Sequence, residues 1–220
     1  MSTKPKRSYR WLLWTLALLG FTVDQVGKYG VFKFLHEQAR ENHKAEMLVI
    51  PGALKFHVEL SGQQFPDEAS VFQTWSGDCQ PHVNRGAFLG FGNGDGGGTN
   101  GNVIFAVVSV AAALAIVWWS TRRSIAGDRL LCIALGLILG GTLGNLYDRL
   151  IFDGVRDYLY WFFVIETAVF NIADFLLICG AALLLIQAFW GRGSAEEKPA
   201  AETAEAVEKV AVKAEMAEAK

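Results

Sequence analysis

The chain is predicted to be mainly α and integral to a membrane, folded as a four-helix transmembrane bundle. Hydrophobic residues make up 52% of its 220 positions, and the mean hydropathy is +0.26. The apolar residues fall in long blocks rather than in the short amphipathic periods of helices packed on a soluble core. The net charge is only −2 and no basic stripe is interleaved with aromatics, which excludes nucleic-acid binding.

Four blocks are long enough to cross a hydrocarbon core of about 30 Å, which needs about 20 helical residues. They are residues 11–34, 103–119, 130–147 and 169–190. The first follows Lys4, Lys6, Arg7 and Arg10, so it also has the charged and apolar regions of a secretory signal peptide. No Ala-x-Ala site follows, and the run continues in helix-compatible fashion through Asp24, Gln25 and Lys28, so a retained span is expected. In the third block Gly136, Gly140 and Gly144 recur every four residues and clear one stripe for the close approach of another helix. Residues 1–190 are thus expected to form the membrane domain. From 191 to 220 the composition turns abruptly to Ala, Glu and Lys, as in a low-complexity tail that is disordered or a solvated helix.

Short loops rich in Lys and Arg stay cytoplasmic. The amino-terminal cluster and the connection with Arg122, Arg123 and Arg129 then share the cytoplasmic side, both termini are cytoplasmic, and segments 36–102 and 149–168 face outward. Cys79 lies in a polar loop while Cys132 and Cys179 lie in apolar segments, so a disulfide framework is not expected.

Charged side chains at bilayer depth cost about 2.5–3.5 kcal/mol on insertion scales, so each one marks a candidate site. With this topology Asp24, Asn145, Asp148, Asn171 and Asp174 all gather toward the outer leaflet. An ion or proton path would distribute such groups across the full thickness, so one-sided clustering favours a reaction at the outer surface. Asn145 with Asp148 and Arg149, and Asn171 with Asp174, are spaced to share helix faces. Asp153-Gly154 is a turn signal that can return Asp157 toward the bundle. The aromatic run from Tyr158 to Phe163 suits a membrane interface, and equally substrate contact.

Two carboxylates a few ångströms apart cannot both ionise easily, so Asp157 and Asp174 are expected to share one proton. The ionised partner can draw a proton from water while the protonated one hydrogen-bonds a scissile carbonyl, with no covalent intermediate. Asn171 is suited to hydrogen-bonding a peptide or a carboxylate, or equally to capping. One-turn pairing is expected of Asp24 with Lys28, and Arg149 is expected to neutralise Asp148 or to contact a lipid phosphate, the pairing with Asp148 being the favoured reading. Other chemistries find no motif. His36, His43, His57 and His82 lack zinc-ligand spacing, the glycines of 90–101 lack the Gly-Lys-Ser/Thr ending of a phosphate loop, and no Gly-x-Ser-x-Gly element is present.

Five blocks occur in one order: Asp24-Gln25 with Lys28; Asn84-Arg85-Gly86-Ala87-Phe88; Gly140-Gly141-Thr142-Leu143-Gly144-Asn145-Leu146-Tyr147-Asp148-Arg149; Val155-Arg156-Asp157-Tyr158; and Phe170-Asn171-Ile172-Ala173-Asp174. In this order and on a four-span pattern the chain resembles lipoprotein signal peptidase, or signal peptidase II. The resemblance implies a membrane aspartic protease that removes signal peptides from bacterial prolipoproteins, cutting before a cysteine that already carries diacylglycerol. It implies Asp157 and Asp174 as the catalytic dyad, with Asp24, Lys28, Asn84, Gly86, Asn145, Asp148, Arg149, Asn171 and Ala173 shaping or supporting the site. It further implies an outward-facing cradle of short strands and a small surface helix, location in the bacterial inner membrane, and no metal or other cofactor. A monomer acting on a lipidated prolipoprotein among membrane lipids is the expected state.

The chain departs from the family pattern in three places. Gly27 stands where the family usually has threonine, Phe88 and Leu89 stand where many members have alanine and an aromatic, and 60–82 reads as a loop insertion. A small ion- or proton-coupled transporter is the alternative function, with the same acids as translocation sites.

Overall fold

A computed structural model describes residues 8–42, 45–58, 60–61, 80–81, 83–86 and 99–189. Five helices and five short strands occur among them. The helices are α1 (Arg10–Asn42), α2 (Thr99–Ser120), α3 (Arg123–Ala126), α4 (Arg129–Phe152) and α5 (Ile172–Phe189). The strands are β1 (Glu46–Ile50), β2 (Leu54–His57), β3 (Leu60–Ser61), β4 (Gln80–Pro81) and β5 (Leu159–Trp161). By its internal contacts the chain divides at Ala181/Ala182. The first unit holds everything described below, and the described residues of the second continue α5 to Phe189.

The fold is mainly helical, and among the described residues α2, α4 and α5 are long and apolar enough to cross a membrane. α1 does not meet that measure, because Asp24, Gln25 and Lys28 interrupt its apolar run in mid-helix. α4 is the central helix. Of its apolar stretch 61% is buried, against 17% for α2 and for α5. Glycines make this possible: a Cβ on Gly136 would lie 2.7 Å from the Leu13 carbonyl oxygen, and one on Gly140 would lie 3.0 Å from that of Ala17. The expected small-residue stripe is therefore the seam between α4 and α1. Leu13, Ala17, Ala113, Ile116, Cys132, Leu135 and Leu139 form the core at that end of the helices.

The helix ends follow local chemistry. The Asp128 side chain caps α4 by accepting from the Leu131 amide at 3.0 Å. Asp153 ends α4 at φ 55°, a left-handed position that a short polar side chain tolerates, as the turn signal implied. Arg10 donates to the last carbonyl of α2, Ser120, at 2.7 Å and to that of the next residue, Thr121, at 2.5 Å, placing a cation at a helix carboxyl end.

Two boundaries differ from the sequence expectation. α1 runs on to Asn42, well past 34, because Leu35 and Ala39 bury against Ala45, Val58 and Tyr158. α5 begins at Ile172, not 169, because Phe170 pairs with Leu159 in a β-bridge, exchanging hydrogen bonds of 2.8 and 2.9 Å.

β1, β2 and β5 form an antiparallel sheet in that order, with β5 arriving from beyond α4. The partners are Met47↔Phe56 and Phe56↔Leu159, and the register slips between Leu48 and Ile50. This small sheet agrees with the strands that the resemblance implied. β3 and β4 pair across the two ends of 60–82. The rest of that insertion, Phe88 with Leu89, Cys79 and the tail 191–220 lie outside the described residues, and the described residues of the first outer segment include no separate surface helix.

Candidate functional site

The site is assembled where α1, the end of α4, the start of α5 and the segment 153–158 meet. Asn171 and Asp174 cap α5 reciprocally. The Asp174 amide donates to Asn171 Oδ1 at 3.0 Å, and the Asn171 amide donates to Asp174 Oδ2 at 3.3 Å. This is a capping box with an aspartate at its third helical position, so the backbone geometry of a helix start sets where the Asp174 carboxylate sits.

Asp157 comes from the opposite side. Val155 exchanges two 2.8 Å backbone hydrogen bonds with Asn84. The Asn84 side chain then donates to Asp157 Oδ2 at 3.0 Å, while Asn84 Oδ1 accepts from the Gly86 amide at 2.9 Å. Asn171 Nδ2 donates to Asp157 Oδ1 at 2.6 Å. One asparagine therefore touches both acids, through its side chain on Asp157 and through its amide on Asp174. Burial, then the nearby charge of Asp174, pushes the Asp157 carboxyl up to about 7, against the opposing pull of Asn84, Asn171 and Lys28.

Asn145 is the second hub. Its Nδ2 donates to Asp174 Oδ1 at 2.8 Å, and its Oδ1 accepts from Lys28 Nζ and from Asn171 Nδ2, both at 3.2 Å. Behind it lies a fully buried ionic network. Lys28 Nζ is 2.8 Å from Asp24 and 3.1 Å from Asp148, and Arg156 Nη2 is 2.8 Å from Asp148. Gln25 joins both acids, donating to Asp24 Oδ2 at 3.0 Å and to Asp148 Oδ1 at 3.2 Å. Two anions and two cations balance. Buried pairs of this kind are costly to break, about 3–5 kcal/mol, because removal of one partner strands the other. Asp24 Oδ1 also accepts from the Ala173 amide at 2.9 Å, which ties α1 to the first turn of α5. A Cβ on Gly144 would meet Asp24 Oδ2 at 2.5 Å, so glycine there admits the carboxylate.

The expected Asp24–Lys28 pair is present. The expected Arg149–Asp148 pair is not: Asp148 is taken by Lys28 and Arg156, and Arg149 Nη2 instead donates to the Gly86 carbonyl at 2.8 Å. Neighbours one apart on a helix point about 100° apart, so the two side chains diverge. Arg149 instead joins Asn84, Asn145, Asp157 and Asp174 on the wall of a cavity of about 170 Å³, completed by Phe105, Val108, Ser109, Thr142, Val155 and Leu177. Arg149 Nε is buried and has no hydrogen bond among the described residues. All nine expected supporting residues thus lie in this network or on this wall.

Arg156 was not foreseen, although it is 1% exposed with its guanidinium 3.9 Å from the Phe152 ring centre and 4.3 Å from that of Tyr29. An arginine beside an acid on a turn looks like surface charge in a sequence. The signals available for it were its place in the Val155-Arg156-Asp157-Tyr158 block and the surplus of acids over cations in the expected cluster once Arg149 is removed. Tyr158 occupies the space beside Gly27: a Cβ there would lie 2.6 Å from Tyr158 Oη. Burial, with the charge of Asp24, pushes that hydroxyl's pKa up.

A family model described as signal peptidase (SPase) II matches residues 16–190. A protein of Rhodopirellula baltica named lipoprotein signal peptidase is 42% identical over 120 residues, covering 49% of this chain and 51% of that one, so the chain spans about half that relative's length. One of Pseudomonas fluorescens with the same name is 34% identical over 152 residues, covering 68% of this chain and 86% of its own. A bacterial membrane enzyme solved by the in meso method at 2.3 Å resolution shares the fold with a TM-score of 0.60 at 20% identity, covering 85% of this chain and 93% of its own. A second, at 1.9 Å resolution, gives 0.53 at 19% identity, covering 84% and 97%. On the family model and the extent of the Pseudomonas match, the chain belongs to the signal peptidase II family.

Proposed function

We propose that this protein is an intramembrane aspartyl endopeptidase that removes signal peptides from diacylglyceryl-modified bacterial prolipoproteins, cleaving before the lipidated cysteine. The observation that carries the reading is the convergence of Asp157 and Asp174, from different elements, on Asn171 and on one cavity. A proton held on Asp157 up to about pH 7 leaves the pair with one proton in the range where an aspartic dyad works. The ionised carboxylate takes a proton from water, and the protonated one donates to the carbonyl of the scissile peptide. Water attacks that carbonyl carbon, the tetrahedral oxygen is held by the acid's proton, and the leaving nitrogen regains a proton from the dyad as the C–N bond breaks.

Asn84, Asn145 and Asn171 hold the carboxylates, and Asp24, Lys28 and Asp148 fix α1, α4 and α5 around them. Gly86, Arg149 and Ala173 support the site through their main chain or their place on its wall. α1 is the fourth span, since Asp24, Gln25 and Lys28, the polar groups that interrupt its apolar run, are matched inside the bundle. The site faces the outer leaflet of the inner membrane with both termini cytoplasmic, residues 191–220 are a tail outside the membrane domain, and the protein acts as a monomer on a substrate presented by the lipid. The polar groups gather at the end of α4 and the start of α5, which supports surface hydrolysis over ion transport.

The test is purified protein with a diacylglyceryl-modified prolipoprotein, comparing wild type with Asp157→Asn and Asp174→Asn. Both folded variants are expected to lose cleavage by at least a thousandfold. Wild-type cleavage in either removes the dyad.

A further inference from the structure

We infer that Arg156 is a positioning residue for Asp157, holding the dyad's geometry through Asp148, a role that rests on the proteolytic reading above. Each of the residues 155–158 is tied to its surroundings by hydrogen bonds. Val155 is paired with Asn84, Asp157 with Asn84 and Asn171, and Tyr158 donates its amide to the Phe170 carbonyl at 3.0 Å. Arg156 is the tie to the helices. Its amide donates to Asp148 Oδ2 at 2.9 Å, its Nε to the same oxygen at 3.3 Å, and its Nη2 to Asp148 Oδ1 and to Gln25 Oε1, both at 2.8 Å. Main chain and side chain thus grip one carboxylate, and the planar guanidinium lies against Phe152 and Tyr29. A bidentate fork between two rings has little freedom to rotate, which fixes the Cα that precedes Asp157.

The same residue reaches the second acid. Lys28 divides its donors among Asp24, Asp148 and Asn145, and Asn145 holds Asp174. Lys28 and Arg156 are the two cations paired with Asp148, and Lys28 also pairs with Asp24. Without it, Lys28 is drawn onto Asp148 and away from Asn145, so both carboxylates lose part of their support. Misplacement of about 1 Å in a catalytic group can cost on the order of a hundredfold in rate.

The experiment measures kcat, KM and the pH profile of cleavage for wild type, Arg156→Gln and Arg156→Lys. Arg156→Gln is expected to lower kcat by at least tenfold with KM within twofold, and Arg156→Lys to recover part of that loss. The charged groups facing Asp157 are Asp174 on α5, Lys28 on α1 and Arg149 on α4. When the dyad comes apart, both the repulsion from Asp174 and the opposing pull of Asn171 and Lys28 change, so the limb reporting Asp157 leaves its wild-type position in the variant. A merely structural arginine would change the amount of folded enzyme and leave the profile in place. Folded Arg156→Gln with wild-type kcat and profile, or a loss confined to KM, overturns the inference. Where Arg156→Gln does not fold, Arg156→Lys decides, with a threefold or larger fall in kcat and the same shift expected, and wild-type values overturning it. A wild type that cleaves nothing sinks the proteolytic reading instead. The positioning claim then stands or falls on carbon-13 titration of the Asp157 carboxyl, whose midpoint is expected to differ between variant and wild type, an unchanged midpoint overturning it.

Discussion

Gly27 and Tyr158 should behave as one unit, and a double-mutant cycle measures this. Gly27→Ala places a methyl carbon 2.6 Å from Tyr158 Oη and 3.2 Å from Ile172 Cδ1. The tyrosine cannot yield. It is 1% exposed, its ring meets Phe32 and Phe56 edge-on at 6.4 and 5.7 Å, and its main chain is bonded to Phe170 and to His57. Overpacking of this kind costs about 1–3 kcal/mol. Alanine in place of a mid-helix glycine otherwise gains about 1 kcal/mol, so the single variant should be net destabilised by up to about 2 kcal/mol. The Tyr158 hydroxyl has no hydrogen bond among the described residues. Tyr158→Phe removes that buried polar group, which gains on the order of 1 kcal/mol, and leaves the Tyr158 ring carbon Cζ 3.7 Å from the new methyl. In that background Gly27→Ala should stabilise. The assay is thermal unfolding of the detergent-solubilised proteins: alanine should lower Tm alone and raise it beside Tyr158→Phe. The same shift in both backgrounds, or coupling below about 0.5 kcal/mol, would refute the packing argument.

Three further outcomes follow from the site. Asn171→Ala removes the cap of α5 and the bond to Asp157 together, so it should cost about 1 kcal/mol of stability and at least tenfold in kcat, with KM little changed in steady-state cleavage. Gly136→Ala drives a methyl against the Leu13 backbone, which no rotamer relieves, so a Tm several degrees lower is expected, whereas Gly30→Ala meets nothing within 4 Å and should be neutral or stabilising. Asp157 holds its proton up to about 7 in the folded chain, above the ordinary carboxyl value of 3.8. Between those values the folded state binds more protons than the unfolded one, so the stability this group contributes is complete below about pH 4 and lost as pH rises through 7. Cleavage should decline over the same upper range as the dyad loses its shared proton. Tm measured from pH 5 to 8 should fall in wild type and flatten in Asp157→Asn.

Much of this molecule was legible in one dimension. Apolar blocks of near 20 residues specify spanning helices because lipid leaves the backbone no other way to satisfy itself, and α2, α4 and α5 lie close to where those blocks stood. Gly136 and Gly140, four apart, determined the seam with α1 because helical periodicity alone puts them on one face. Asp24 and Lys28, also four apart, had to meet for the same reason. What periodicity cannot supply is the partner across a tertiary gap. Asp148 was free to pair with any cation within reach, and only the return of the chain after Asp153 brought Arg156 to it and sent Arg149 toward Gly86. The start of α5 was likewise decided by a β-bridge between Phe170 and Leu159, residues whose composition favours a span as readily as a strand. The sequence by itself determined which groups are too costly to leave unpaired in an apolar phase; the tertiary structure decided how they pair, because burial sets the need for a partner and only geometry selects one.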